Sequence, residues 1–130
     1  MTISESGFVM AGEWTLRPTV KSGITFKLTA FASSRVVYAF VVDGQPKYIG
    51  ICEKDTTTLQ DRIIRYKNQQ GAGTNERISI KIRQALSAGK AVHIFALQPD
   101  TRFDYRGLEI DTVKGLENPL IARFKPEWNR

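Results

Sequence analysis

"VVYAFVVDGQPKYIG", residues 36–50, decides how this chain is read. The run "RVVYAFVV" is dense in β-branched and aromatic residues and long enough for a central strand. Asp43-Gly44 is the strongest short-range hairpin signal a sequence carries, and "KYIGICE" supplies the returning strand. Tyr38 and Tyr48 sit on the two arms. Strand residues alternate between faces and paired strands lie about 4.8 Å apart, so two phenols can project from one face into a shared site. The competing reading is ordinary: a strand tyrosine is often half-buried with its hydroxyl in water.

Working outward, the period changes. Upstream, "GEWTLRP" and "GITFKLTAF" form an irregular β-rich segment, with Ile24, Phe26 and Leu28 alternating against polar residues. Downstream, "TTTLQDRIIRYKNQQ" switches to helical spacing: a threonine caps the start, and Leu59, Ile63 and Tyr66 share a face. Gly71 and Gly73 end that helix. A second helix spans about "TNERISIKIRQALSAG", with Thr74 or Asn75 as the cap and Ile78, Ile82 and Leu86 as the buried stripe. "AVHIFALQP" is a third strand, with Val92, Ile94 and Ala96 facing opposite to His93, Phe95 and Leu97. "TRFDYRGLEI" reads as a loop with short extended pieces. The last helix starts near Thr112 and contains Pro119, which costs about 3 kcal/mol in a helix interior. Either that helix kinks or it effectively begins near Asn118. The expected fold is mixed α+β: a small, mostly antiparallel three-stranded central sheet flanked by helices. A β-rich segment, residues 1–34, would pack on a core of residues 35–130, the whole forming one globular unit.

Composition narrows the function classes. Nineteen Lys and Arg against thirteen Asp and Glu give a net charge of +6. That suits a polyanionic partner, most simply nucleic acid, since neutralising phosphates releases counterions. No run approaches the length of a membrane span, and the N-terminal residues do not resemble a signal peptide. The single cysteine, Cys52, can form neither an internal disulfide nor a zinc cluster, so a cytoplasmic, non-membrane protein is expected.

Three further positions complete a constellation. Arg62 and Tyr66, at i and i+4, stack on one helical face with Arg65 beside them. An arginine fork matches two phosphate oxygens and keeps its charge. Glu117, between Leu116 and Leu120, can point from the last helix into the same site, and one carboxylate with waters and a substrate phosphate is an ordinary Mg²⁺ environment. Asn129 lies near the end of the sequence. Each is weak alone: a solvated arginine or helical glutamate is the usual finding.

In this order and spacing, "VVY", "KYIG", "LQDRIIRY", "TNERI", "GLEN" and "PEWN" resemble the GIY-YIG nuclease superfamily over roughly residues 35–129. The resemblance implies a DNA endonuclease with one Mg²⁺ or Mn²⁺ per active site, of restriction or repair type. It matches Tyr38 to the tyrosine of the first half-motif, where Val36 and Val37 replace Gly-Ile, and Tyr48 and Gly50 to the second. It further implies catalytic roles for Arg62 and Asn129, and for Glu117 as the metal ligand. Many members have a histidine one turn after the arginine, where this chain has Tyr66; His93, the only histidine, reads as structural. A tyrosine that accepts a proton needs a pKa well below about 10, which a neighbouring cation such as Arg62 or Lys47 would favour. Lys47, Arg65, Lys67, Asn75, Arg77 and Lys81 are the expected DNA contacts. Cutting both strands of a duplex is easiest for a homodimer. A non-catalytic DNA-binding module with the same fold is the alternative.

Overall fold

A computed structural model describes residues 2–52, 56–71, 73–99 and 103–129. Strands β3 (Val37–Val42) and β4 (Gln45–Ile51) are the two arms of the hairpin. Asp43 and Gly44 join them at φ 52° and 74°. Two consecutive positive φ values make a type I′ turn, whose twist matches that of the strands it connects. The register shifts once: Phe40 lies opposite Tyr48, but Val41 lies opposite Pro46, so Lys47 is the extra residue of a bulge. Pro46 is tolerated because β4 is an edge strand.

Three more strands, β1 (Val9–Leu16), β2 (Ile24–Leu28) and β5 (Val92–Leu97), complete one sheet in the order β2-β1-β5-β3-β4, antiparallel throughout. The sheet therefore has five strands rather than the three expected. The two additional strands come from the first thirty residues, and β1 is an inner strand between β2 and β5. Its pattern is hard to read because the register shifts between Met10 and Gly12, which breaks the period-two alternation.

Helices cover both faces. On one side α1 (Leu59–Lys67) and α2 (Gly73–Ser87) bury Leu59, Ile63, Tyr66, Ile78 and Ile82 against Tyr38, Phe40, Trp14 and Ile94. On the other, α3 (Thr112–Phe124) packs Val113 and Leu120 against Val37, Ala39, Val41 and Ile49. All six residues of β3 are buried, as a strand sandwiched between helical layers requires. Thr58 caps α1 in a reciprocal capping box with Asp61, as the threonine run suggested. Thr74 and Asn75 do not precede α2; they lie in its first turn. Helix α3 runs from Thr112, capped by Asp111, straight through Pro119. Pro119 and Gly115, the residue whose carbonyl loses its donor, both face solvent, where water can replace the missing bond.

The segment expected as a loop is a true hairpin, β6 (Phe103–Tyr105) and β7 (Leu108–Ile110), forming its own two-stranded sheet. Arg106 and Gly107, at φ 51° and 83°, repeat the type I′ geometry. Among the described residues no helix is long and apolar enough to cross a membrane.

Candidate active site

The hairpin register brings Tyr38 and Tyr48 to the same face. Tyr38 is opposite Gly50 and Phe40 is opposite Tyr48, so the three rings form a strip facing α1. Phe40 stacks on Tyr48 at 5.8 Å and meets Tyr66 edge-on at 5.4 Å. Gly50 has a specific steric reason. A Cβ built there would lie 2.5 Å from Tyr38 Oη and 2.6 Å from its Cζ, so any side chain would displace the ring. The glycine is the floor on which the Tyr38 phenol rests.

Helix α1 adds the remaining groups through its i, i+4 spacing. Tyr66 Oη is 2.6 Å from Tyr38 Oη and donates to Tyr48 Oη at 3.4 Å. Either hydroxyl can be the donor in the short contact. The three hydroxyls thus form one connected cluster with Tyr66 at its centre. Arg62 Nη2 donates to both Tyr38 Oη (3.5 Å) and Tyr66 Oη (3.4 Å), long contacts that hold it only lightly. Its guanidinium lies 5.7 Å from the Tyr66 ring centroid, and its Nε is buried without a partner among the described residues.

Burial sets the protonation states. Desolvation is the largest influence on all three phenols and lifts each above the ordinary tyrosine range; Arg62 pulls the other way but does not overcome it. The expectation that a neighbouring cation would lower a tyrosine pKa is therefore corrected: Tyr38 and Tyr66 have no exposed surface, and a phenolate there loses its hydration. Cys52, at the end of β4, is likewise pushed up to about 11 by burial and is a neutral thiol.

The cluster opens on a cleft of about 400 Å³ lined by Tyr48, Gly50, Cys52, Thr57, Arg62, Arg65 and Glu117. Glu117 comes from α3 on the opposite side of the sheet from α1, close enough to Tyr48 to oppose its ionisation. Among the described residues no three His, Cys, Asp or Glu side chains converge. The donor set facing the cleft is one carboxylate with the Tyr48 hydroxyl, hard oxygen groups of the kind a largely hydrated Mg²⁺ or Mn²⁺ accepts. Neighbouring depressions continue from this cleft: one adds Gln70, Gly71, Thr74 and Asn75 to Arg62 and Arg65, another adds Gly73, Thr74, Arg77 and Asn129 to Tyr48.

Asn129 bonds to backbone next to the phenols. Its side-chain amide donates to the carbonyl of Ile49 and accepts from the N–H of Ile49, both at 2.9 Å, an amide acting as an extra rung on edge strand β4. Trp128 N–H donates to Lys47 O at 2.7 Å, and the buried Trp128 ring locks the segment into the core beside Tyr48 and Tyr66. Of the expected DNA contacts, Arg65 lines the cleft and Lys81 is exposed on α2. Lys67 is half-buried at the end of α1. Lys47 is paired with Glu127 at 2.9 Å, and Arg77 Nη1 donates to Trp128 O at 2.8 Å. Asn75 is buried and donates to Gln70 O. Thr57, Cys52 and Thr74 were not anticipated as lining residues; their types carry no chemical signature, and only the strand and helix ends place them here.

No family model and no curated protein matches the sequence. Solved structures do match. A glutamate-to-alanine mutant of bacteriophage T4 EndoII aligns over 98% of this chain and 95% of its own, with a TM-score of 0.70 and 25% identity. A restriction endonuclease, HPY188I, in complex with product DNA aligns over 95% of this chain and 79% of its own, with a TM-score of 0.55 and 19% identity. Over almost its whole length, β1 and β2 included, the chain has the fold of these two proteins.

Proposed function

We propose that this chain is a DNA endonuclease that hydrolyses phosphodiester bonds through a GIY-YIG-type site served by one Mg²⁺ or Mn²⁺. The observation that carries the reading is the cluster itself. Arg62, bonded to Tyr38 and Tyr66, opens on a cleft it shares with Tyr48, Gly50 and Glu117. The net charge of +6 suits a polyanion, and the matched structures, EndoII and a restriction endonuclease holding product DNA, support the class.

Glu117 would hold the divalent ion, whose contribution is to polarise a non-bridging phosphoryl oxygen. The rest follows from the chain's own groups. Arg62 is permanently charged and only loosely engaged, so it can turn its donors to the phosphate and stabilise the added negative charge of the transition state. Tyr48 is the phenol of the cluster that lines the cleft, where its hydroxyl can meet a phosphate oxygen. Tyr38 and Tyr66, neutral and buried, fix the orientation of Tyr48 and Arg62. Asn129 positions Tyr48 indirectly by holding the backbone of the next residue. Arg65, Lys67, Arg77 and Lys81 are the proposed phosphate contacts along the duplex, with Lys47 and Asn75 beside them.

The test is cleavage of supercoiled plasmid with Mg²⁺, with EDTA, and by Glu117→Ala and Arg62→Ala proteins whose circular dichroism matches that of the parent. Nicking or linearisation lost in EDTA and in both variants is expected. A fully active Glu117→Ala protein would overturn the assignment. Tight DNA binding without cleavage would favour the non-catalytic reading, and the complete burial of Tyr38 and Tyr66 is the observation on its side.

A further inference from the structure

A band of positive charge leads out of the cleft. The depression of about 380 Å³ that begins at Tyr48 is walled by Gly73, Thr74, Arg77 and Asn129, so it runs between the start of α2 and the segment after α3. Trp128 ties this wall to its neighbours: its N–H donates to Lys47 O at 2.7 Å, and its carbonyl accepts from Arg77 Nη1 at 2.8 Å. Lys81 follows Arg77 by one helical turn. Lys47 Nζ meets the Glu127 carboxylate at 2.9 Å, and Lys90 Nζ meets Asp43 at 3.3 Å. The Lys47 hydrogen bond, with the charges of Lys47, Lys81 and Lys90, holds the Glu127 carboxyl below the usual range. Three ammonium groups therefore act on one carboxylate. The Glu127 side chain is 69% exposed, so burial does not impose the pairing. Pro126 and Trp128 on either side of it are buried, so the carboxylate can rotate away without moving the backbone.

We propose that a DNA strand leaving the cleft crosses Arg77 onto Lys47 and Lys81, and that Glu127 holds the place of one of its backbone phosphates until DNA displaces it. A carboxylate and a phosphodiester each spread one negative charge over two acceptor oxygens, so a lysine that pairs with one accepts the other. Continuity selects the partner. Tyr48 lines both the cleft and this depression, so a backbone seated at Arg62 and Tyr48 reaches Arg77 without leaving the surface. Glu127 is then an internal competitor. A phosphate arriving at Lys47 exchanges one anionic partner for another instead of releasing a counterion, so Glu127 lowers both the affinity for DNA and its dependence on salt. The acid keeps the exit path from retaining the product strand.

The inference rests on the nuclease reading for the path of the strand, but its test is binding alone. Fluorescence anisotropy of a short labelled duplex in EDTA, over a series of salt concentrations, compares the parent with Glu127→Gln, Glu127→Lys and Lys81→Ala. Glu13→Gln, the same charge change on β1 three strands across the sheet from β4, is the control. Glu127→Gln should steepen the slope of log affinity against log salt by about 0.9, one phosphate's worth, which amounts to about eightfold tighter binding at about 0.1 M salt. Glu127→Lys should bind more tightly still, Lys81→Ala should flatten the slope by about 0.9, and Glu13→Gln should change affinity by less than about twofold. If the ion pair only fastens the segment after α3, both Glu127 variants will bind DNA no better than the parent, and that result overturns the proposal. Equal tightening by Glu13→Gln overturns it as well, since net charge alone would then account for the effect. A parent that binds vesicles of anionic lipid but no duplex would make the band a membrane surface and refute the assignment. If the Glu127 variants behave as described but no DNA is ever cut, the nuclease reading fails and the phosphate path stands.

Discussion

Above about pH 10 the free energy of folding should fall steeply, because three phenols that ionise readily in the unfolded chain are prevented from doing so in the folded one. Burial lifts the pKa of Tyr38, Tyr48 and Tyr66 above the ordinary range. A group raised in this way stabilises the fold fully below its unfolded pKa and loses that contribution as pH climbs toward the folded value. While the folded phenols stay protonated, each costs RT ln(1 + 10^(pH − pKa)) relative to the unfolded chain. That is about 1.4 kcal/mol per tyrosine at about pH 11, and about 4 kcal/mol for the three. Set against a total stability of about 5–15 kcal/mol, this is enough to move the midpoint decisively. Cys52, pushed up to about 11 by burial, adds a contribution of the same sign between its unfolded and folded values. Urea unfolding at a series of pH values, followed by near-ultraviolet circular dichroism and tyrosinate absorbance together, reads the effect. The cluster's phenolate signal should appear with unfolding, not before it. Tyr66→Phe should reduce the slope of stability against pH above about 10 by about 1.4 kcal/mol per pH unit, one proton's worth. Stability that stays flat to about pH 11 while all the phenols ionise in the folded protein would refute the reasoning, since it would mean that water reaches the cluster.

Three other substitutions test separate parts of the site. Gly50→Ala drives a methyl group into the Tyr38 ring and should cost about 1–3 kcal/mol in thermal or urea unfolding, with the Tyr38–Tyr66 hydrogen bond disrupted; a neutral effect would mean the ring is not held there. Asn129→Ala removes both bonds to Ile49 and should lower stability by about 2 kcal/mol, whereas Asn129→Asp, which keeps only an acceptor, should recover less than half of that. Arg62→Lys keeps the charge but loses the fork, and plasmid cleavage should slow by about 10²–10³-fold with unchanged circular dichroism; near-parent activity would show that charge alone suffices.

Much of this architecture is written locally in the sequence. Asp43-Gly44 specifies its own turn, Thr58 and Asp61 their own capping box, and Arg62 and Tyr66 their shared face. These features depend on neighbours within a few residues, so spacing and residue type suffice to find them. What was misread depends on distant partners. Strand β1 is an inner strand only because β5, about eighty residues later, pairs with it. The turn at Arg106-Gly107 was hidden because arginine is an unusual residue for positive φ. The tyrosine pKa direction could not come from the charge of Arg62 alone, because the opposing desolvation depends on how completely α1 seals the sheet. The bond from Arg77 to Trp128 was equally out of reach of local spacing, since it joins residues 51 positions apart.

The clasp between Asn129 and Ile49 spans 80 residues of chain, as does the ion pair between Lys47 and Glu127. Such a closure is entropically costly to make and is held by a few hydrogen bonds and one indole, so it belongs to the least protected stratum of the structure. The five strands pair with one another without it, so the sheet should outlast the clasp. Competence of the cleft and integrity of the fold should therefore be lost at different midpoints. Mild denaturant or warming should release the clasp and slacken β4 around Tyr48 while amides in β3 and β5 are still fully protected from exchange.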